Sequence, residues 1–199
     1  MATTIFLVRH GAHDRLNHIL CGRMAGVNLS ELGREQARRV AERLSREPIA
    51  AIYVSPLERA QQTAEPLAER LTLEPTVADD LNEIDFGDWT GIAFEDLRRL
   101  PAWEQWNRER SRSRAPGGES LSDAQARMAR WISSARASHP NASVAGFCHA
   151  DVIKAAVCDV LGVSLDDHHR LEIAPASIST LTVDDRGVRL RSLNEEPWP

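Results

Sequence analysis

Three short apolar runs stand out along the chain: TTIFLV at 3–8, AAIYVS at 50–55 and SVAGFC at 143–148. None alternates apolar with polar positions, which predicts strands covered on both faces, as in a parallel sheet. Between them the hydrophobic spacing becomes helical. Ala37, Val40, Ala41 and Leu44 follow Ser30, a predicted N-cap, and Pro48 ends the run. Leu57, Ala60, Ala64, Leu67, Ala68 and Leu71 mark a second helix, which Pro66 is expected to kink or split. Ser120 with Asp123 reads as a capping box opening a third, whose apolar face is Leu121, Ala124, Met128, Trp131 and Ala135. ADVIKAAVCDVLG at 150–162 is apolar nearly all round, predicting a buried helix that Gly162 stops. SISTLTV, DDRG and VRLRSL, spanning 177–193, predict a hairpin at a sheet edge, a surface that would suit a homodimer.

Strands alternating with helices predict an α/β fold: a three-layer sandwich with a mostly parallel central sheet flanked by helices and an edge antiparallel hairpin. With 199 residues, 42% of them hydrophobic, the chain suits one domain over 1–199 with a real core. Residues 85–118 fit the alternation poorly. They hold three tryptophans, the run RERSRSR and PGG, with a helical pattern only near Phe94 to Leu100. They read as a lid-like excursion over the sheet, whose arginines point to a subsite for an additional anionic group such as a carboxylate or second phosphate. Trp103, Trp106 and Trp131 are expected to pack rather than to stack on substrate.

The net charge of −5 argues against a general nucleic-acid or anionic-membrane binder, because neither partner rewards an acidic surface. Nowhere do about 18 apolar residues follow one another, and no secretory leader is legible, so a cytoplasmic protein is expected. Cys21, Cys148 and Cys158 form no CxxC pair. They are expected to be buried small hydrophobes in a reducing compartment.

The chemistry lies where the strands end. Ligands of open α/β sheets bind beyond the carboxyl ends of the strands. The first predicted strand runs into Arg9-His10-Gly11, the second into SPLER with Arg59 in the first turn of a helix, and the third into Cys148-His149, again opening a helix. Two arginines, two histidines and two helix N-termini at one edge make an anion site suited to phosphate. A neutral imidazole is a nucleophile, and neighbouring cations would keep His10 neutral. Gly11 would let the backbone approach a bound phosphate closely. Glu83, beside aromatic residues in LNEIDFGDWTG, is the candidate proton donor for the leaving alkoxide.

RHG at 9–11, SPLERAQQTA at 55–64, LNEIDFGDWTG at 81–91, PGGES at 116–120 and FCHADVIK at 147–154 resemble, in order, the motifs of the histidine phosphatase superfamily, also called phosphoglycerate-mutase-like. GRMAGVNLSELGREQA at 22–37 further resembles a small-phosphatase branch known as probable phosphomutases. The resemblance implies that His10 becomes the phosphohistidine, that Arg9, Arg59 and His149 hold the phosphoryl group, and that Glu83 acts as acid and then base. It also implies no metal and no cofactor. Asn17 and Arg23 are carried over as substrate-binding residues. The implied function is a metal-independent phosphatase hydrolysing a small phosphorylated metabolite; the alternatives are a phosphomutase and, more distantly, a non-catalytic phosphate-binding module. Phosphoglycerate mutases of this family usually carry longer insertions and tails, which favours hydrolysis.

Two positions depart from the family pattern: Ala12 replaces a common glutamate, and Ala150 replaces the glycine after the second histidine. Ala150 is expected to tighten the pocket or restrict its backbone. A rival set, Asp166 to His169 with His13, Asp14 and His18, carries metal-ligand residue types. Adjacent side chains rarely face one ion, so a polar loop is the expected reading of 166–169.

Overall fold

A computed structural model describes residues 2–197. The strands are β1 (Thr3–Arg9), β2 (Ile49–Val54), β3 (Thr76–Val77), β4 (Ser143–Cys148), β5 (Ile178–Asp184) and β6 (Gly187–Glu195). The helices are α1 (Glu31–Leu44), α2 (Glu58–Leu71), α3 (Phe94–Leu97), α4 (Pro101–Arg108), α5 (Leu121–Ser138) and α6 (Ala150–Leu161). One sheet runs in the order β3-β2-β4-β1-β5-β6. β3, β2, β4 and β1 are parallel, and the β5–β6 hairpin adds to β1 antiparallel.

Burial on both faces explains the unalternating strands. Ile5 and Leu7 of β1 pack into one core with Met128, Trp131, Val152 and Val157 from α5 and α6. Phe6 and Val8, pointing the other way, pack with Val40 and Leu44 of α1 and Leu67 of α2. At about 2 kcal/mol per fully buried large apolar side chain, this two-sided strand contributes much of the fold's stability. Gly146 of β4 is a close-approach position: a Cβ there would lie 2.6 Å from the Trp131 ring. The hairpin is not wholly peripheral, because β5 is an inner strand and only β6 forms the edge.

The helix ends follow their expected chemistry. Ser30 accepts from the Gly33 N–H, Ser120 and Asp123 form a reciprocal capping box, and Gly162 closes α6 in the left-handed conformation. Pro66 does not split α2, which runs unbroken from Glu58 to Leu71. Burial of Ala60, Thr63, Ala64, Leu67 and Ala68 along one face offsets the one backbone bond that proline removes.

Residues 84–115 contribute a third core. Trp89, Trp103 and Trp106 meet edge to face at 5.3 and 5.9 Å from Trp89, and Trp106 is fully buried. All three expected packing tryptophans are buried, Trp131 against Tyr53. The helical part of this stretch exceeds the sequence expectation, since α4 follows α3 with Pro101 in its first turn. No helix among the described residues is long and apolar enough to cross a membrane. Cys21, Cys148 and Cys158 are buried free thiols, and burial pushes the Cys148 thiol up to about 12.

Candidate active site

The carboxyl ends of β1, β2 and β4 meet the loop carrying Glu83 at a cavity of about 170 Å³, lined by Arg9, His10, Arg59 and Glu83 together with Asn17, His13 and Asp151. A larger open groove of about 750 Å³ lies between α2 and β3; its polar lining is glutamine, glutamate and threonine, without a nucleophile or a cation.

His10 follows β1 and is 4% exposed. Its Nδ1 lies 2.8 Å from the Gly11 carbonyl. A carbonyl only accepts, so Nδ1 carries the proton and Nε2 keeps its lone pair. Burial, then Arg59 and Arg9, push the imidazole well below its ordinary range and hold it neutral. The Gly11 N–H donates to Thr63 Oγ1, whose hydroxyl donates to the Arg59 carbonyl, tying the His10 loop to α2.

Gly11 also answers to a close backbone approach. A Cβ there would meet the Gly33 carbonyl at 2.6 Å, and a Cβ on Gly33 would meet the Ala12 carbonyl at 2.0 Å. The loop therefore crosses α1 backbone to backbone, and glycine answers to that crossing. Ala12 N–H donates to Gln36 and its carbonyl accepts from the Ser30 N–H. Ala150 is the first residue of α6, a helical position that alanine favours, and it lines the cavity.

Arg9 Nη1 donates to the Ile173 carbonyl at 2.6 Å, and Arg59 Nη2 to the Gly22 carbonyl at 2.7 Å. These bonds anchor one edge of each guanidinium. The buried Nε of Arg9 and the Nε and Nη1 of Arg59 have no partner among the described residues. Unsatisfied buried N–H donors are costly, and a phosphoryl group is the kind of acceptor that satisfies them.

Glu83 has a side chain 15% exposed, and its Oε1 accepts from the Ile84 N–H. Burial, then Asp151, push its carboxyl up to about 7. His149 is fully buried and does not line the cavity; its ring lies 5.2 Å from that of His10. Arg59 Nη2, 3.4 Å from His149 Nδ1, can only donate, which leaves the Nε2 hydrogen for Ser55 Oγ at 2.8 Å. Glu83 Oε2 stands 3.7 Å from the same Nδ1. Burial, then Arg59, keep His149 neutral.

Asn17, in the left-handed conformation, lines the cavity. Arg23 does not; its Nε donates to the Glu83 carbonyl at 2.8 Å, and its Nη2 pairs with Glu119. Glu119 also pairs with Arg127, whose Nη1 donates to the Asp80 carbonyl, so this ionic group braces the loop that presents Glu83. Glu119 and Arg127 escaped sequence reasoning, although PGGES is on view, because their effect passes through backbone.

His13 was grouped with metal-ligand types, yet it stands 5.4 Å from the His10 ring, and burial, then Arg59, lower it to about 4. Asp166 instead accepts from Ser111, and His168 donates to the Leu165 carbonyl. No group of three or more metal-ligating side chains occurs among the described residues. Sequence reasoning gave no role to Ser55 or Asp151, although both lie inside quoted motifs, Ser55 opening SPLER just past β2 and Asp151 in the first turn of α6.

The model of the histidine phosphatase superfamily (branch 1) matches residues 5–196. The chain belongs to the histidine phosphatase superfamily, and it is an enzyme of the phosphatase type. It is 34% identical over 195 residues to phosphoserine phosphatase 1 of Hydrogenobacter thermophilus, covering 96% of this chain and 91% of that protein. It is 37% identical over 137 residues to a 2,3-bisphosphoglycerate-dependent phosphoglycerate mutase of Azorhizobium caulinodans, covering 64% and 66%. The mycobacterial glucosyl-3-phosphoglycerate phosphatase superposes with a TM-score of 0.86 at 29% identity, over 98% of this chain and all of that one. This histidine phosphatase thus shares its overall α/β fold with that solved phosphatase.

Proposed function

We propose that this histidine phosphatase hydrolyses a small phosphomonoester without a metal, through a phosphohistidine formed on His10. The observation that carries the reading is the His10 ring: Nδ1 is tethered to the Gly11 carbonyl and Nε2 keeps a lone pair beside the unsatisfied donors of Arg9 and Arg59.

In the first step Nε2 bonds to phosphorus while the bond from phosphorus to the leaving oxygen breaks. Glu83, held protonated near neutrality, gives its proton to that oxygen. The positive charge placed on the imidazole is steadied through Nδ1–H and the Gly11 carbonyl. In the second step the Glu83 carboxylate takes a proton from water, the water oxygen bonds to phosphorus, and the N–P bond breaks. Arg9 and Arg59 supply fixed cations to the equatorial oxygens throughout. His149 acts from behind, orienting Arg59 and the Glu83 carboxyl. Asn17 borders the leaving group, and Arg23 positions Glu83 through its backbone.

Water, rather than a second hydroxyl, is the acceptor in this reading, because the phosphatase relatives align over nearly their whole lengths and the mutase over 64% of this chain. A cavity near 170 Å³, below the roughly 300 Å³ of common ligand pockets, fits a small metabolite.

The test is rate and intact mass of wild type and His10→Ala with an aryl phosphate in chelator, with a quench that spares acid-labile adducts. Turnover in chelator with a transient phosphate adduct, both lost in the variant by a factor of at least about 10³, is the expected result. Activity that disappears with chelator, or turnover that survives in His10→Ala, overturns the reading.

A further inference from the structure

The sequence expectation of a second anion subsite supplied by lid arginines does not survive the structure. Arg108 is exposed and pairs with Glu104 and Glu109, and Arg114 pairs with Asp123. Arg98 and Arg112 are exposed, and Arg99 pairs with Glu95. Arg110 is buried, stacks 4.8 Å over the Trp106 ring and donates to Asn107 and Asp151. None of them lines the cavity.

What does line it beyond the phosphoryl seat is largely apolar, from Leu16, Ile19, Leu20, Phe86 and Phe94, with three polar exceptions, the neutral His13, Asn17 and Asp151. The Asp151 side chain is 23% exposed and stands in the first turn of α6, 3.2 Å from Arg110 Nη1. Burial works to raise its pKa, but Arg110 and Lys154 outweigh that and hold it below the usual carboxylate range. Beyond Arg9 and Arg59 the cavity wall therefore presents the Asp151 carboxylate, while its partner Arg110 lies behind it and no further cation among the described residues lines the cavity.

We propose that Asp151 selects substrates whose leaving group carries hydrogen-bond donors, hydroxyl or ammonium, and rejects those carrying a second anion. The inference rests on the phosphatase reading and narrows its substrate class. Arg9 and Arg59 answer the phosphoryl charge, so a carboxylate on the leaving group would face Asp151 in a poorly solvated cavity, where like charges repel strongly. A hydroxyl or ammonium there donates to a carboxylate that is already desolvated and fixed by Arg110.

The experiment compares kcat/KM for two matched pairs that differ by one carboxylate: glycerol 3-phosphate against 3-phosphoglycerate, and phosphoethanolamine against phosphoserine. An aryl phosphate serves as the reference substrate. The expected result is that each acid is at least about tenfold poorer than its partner, and that Asp151→Asn narrows both ratios. Acids equal to or better than their partners overturn the proposal, and this comparison needs only wild-type protein should the variant fail to fold. Ratios unchanged in a folded Asp151→Asn remove Asp151 as the selector and also overturn it. Turnover of the aryl phosphate alongside either failure leaves the phosphatase reading standing; loss of turnover on every ester overturns both together.

Discussion

The imidazole Nδ1 of His10 donates to the carbonyl of the adjacent Gly11 at 2.8 Å, so the ring's tautomer is set by the residue that follows it in the chain. The nucleophilic atom is consequently Nε2, and Nδ1 is blocked. We expect the trapped adduct to be the Nε2-phosphorylated isomer alone. Phosphorus–proton coupling in NMR of the acid-spared adduct distinguishes the two isomers, and an Nδ1 adduct would show that the ring turns over during the reaction.

Glu83 must be protonated to donate, and its carboxyl is raised to about 7 by burial and by Asp151. The active form of the free enzyme is thus present below pH 7 and is lost as pH rises through it. His10 remains neutral down to well below its ordinary range, so it sets no acidic limb near neutrality. The profile of kcat/KM for an aryl phosphate is expected to fall above about pH 7. Glu83→Gln should lower kcat by about 10² to 10⁴ and abolish that limb.

Gly33 stands inside α1, where alanine ordinarily adds up to about 1 kcal/mol. Here its Cβ would lie 2.0 Å from the Ala12 carbonyl, and both partners are backbone. The clash is expected to outweigh the helix gain, so Gly33→Ala should destabilise by about 2 kcal/mol or more and weaken turnover by moving the His10 loop. Denaturant midpoints with an unchanged m-value would measure it. A stabilised, fully active variant would show that the crossing is slack.

His168 is 5% exposed, and burial, then Arg110, lower it to about 4. Unfolded histidine titrates near 6.5, so between these values the unfolded chain binds the extra proton. Stability is therefore complete above pH 6.5 and lost as pH falls toward 4, by about 1.4 kcal/mol per pH unit for this group. His168→Gln should flatten the dependence of unfolding free energy on pH by that amount within this window. His13, lowered to about 4, supplies a slope of the same sign that the variant keeps. An unchanged slope in the variant would mean that His168 titrates alike in both states.

The chain's own pattern determined what local order and strict burial can encode. Strands covered on both faces favour apolar residues at successive positions, so β1, β2 and β4 are legible as apolar runs, and the residues just past them mark the place for chemistry. Caps at Ser30, Ser120 and Gly162 were legible because a helix end needs specific partners within a few residues. His10, Arg9, Arg59 and Glu83 were found from motif order, and the fold brings them around one cavity. Only the tertiary structure decided which nitrogen of His10 is free, that Gly11 answers to Gly33, and that Arg23, Glu119 and Arg127 brace Glu83. It also placed His149 behind the wall and turned Arg110 from a candidate anion ligand into the partner of Asp151. The His10 tautomer is set by its chain neighbour Gly11 once the loop is folded, whereas the others depend on groups far apart in the chain being brought together, which no local spacing carries.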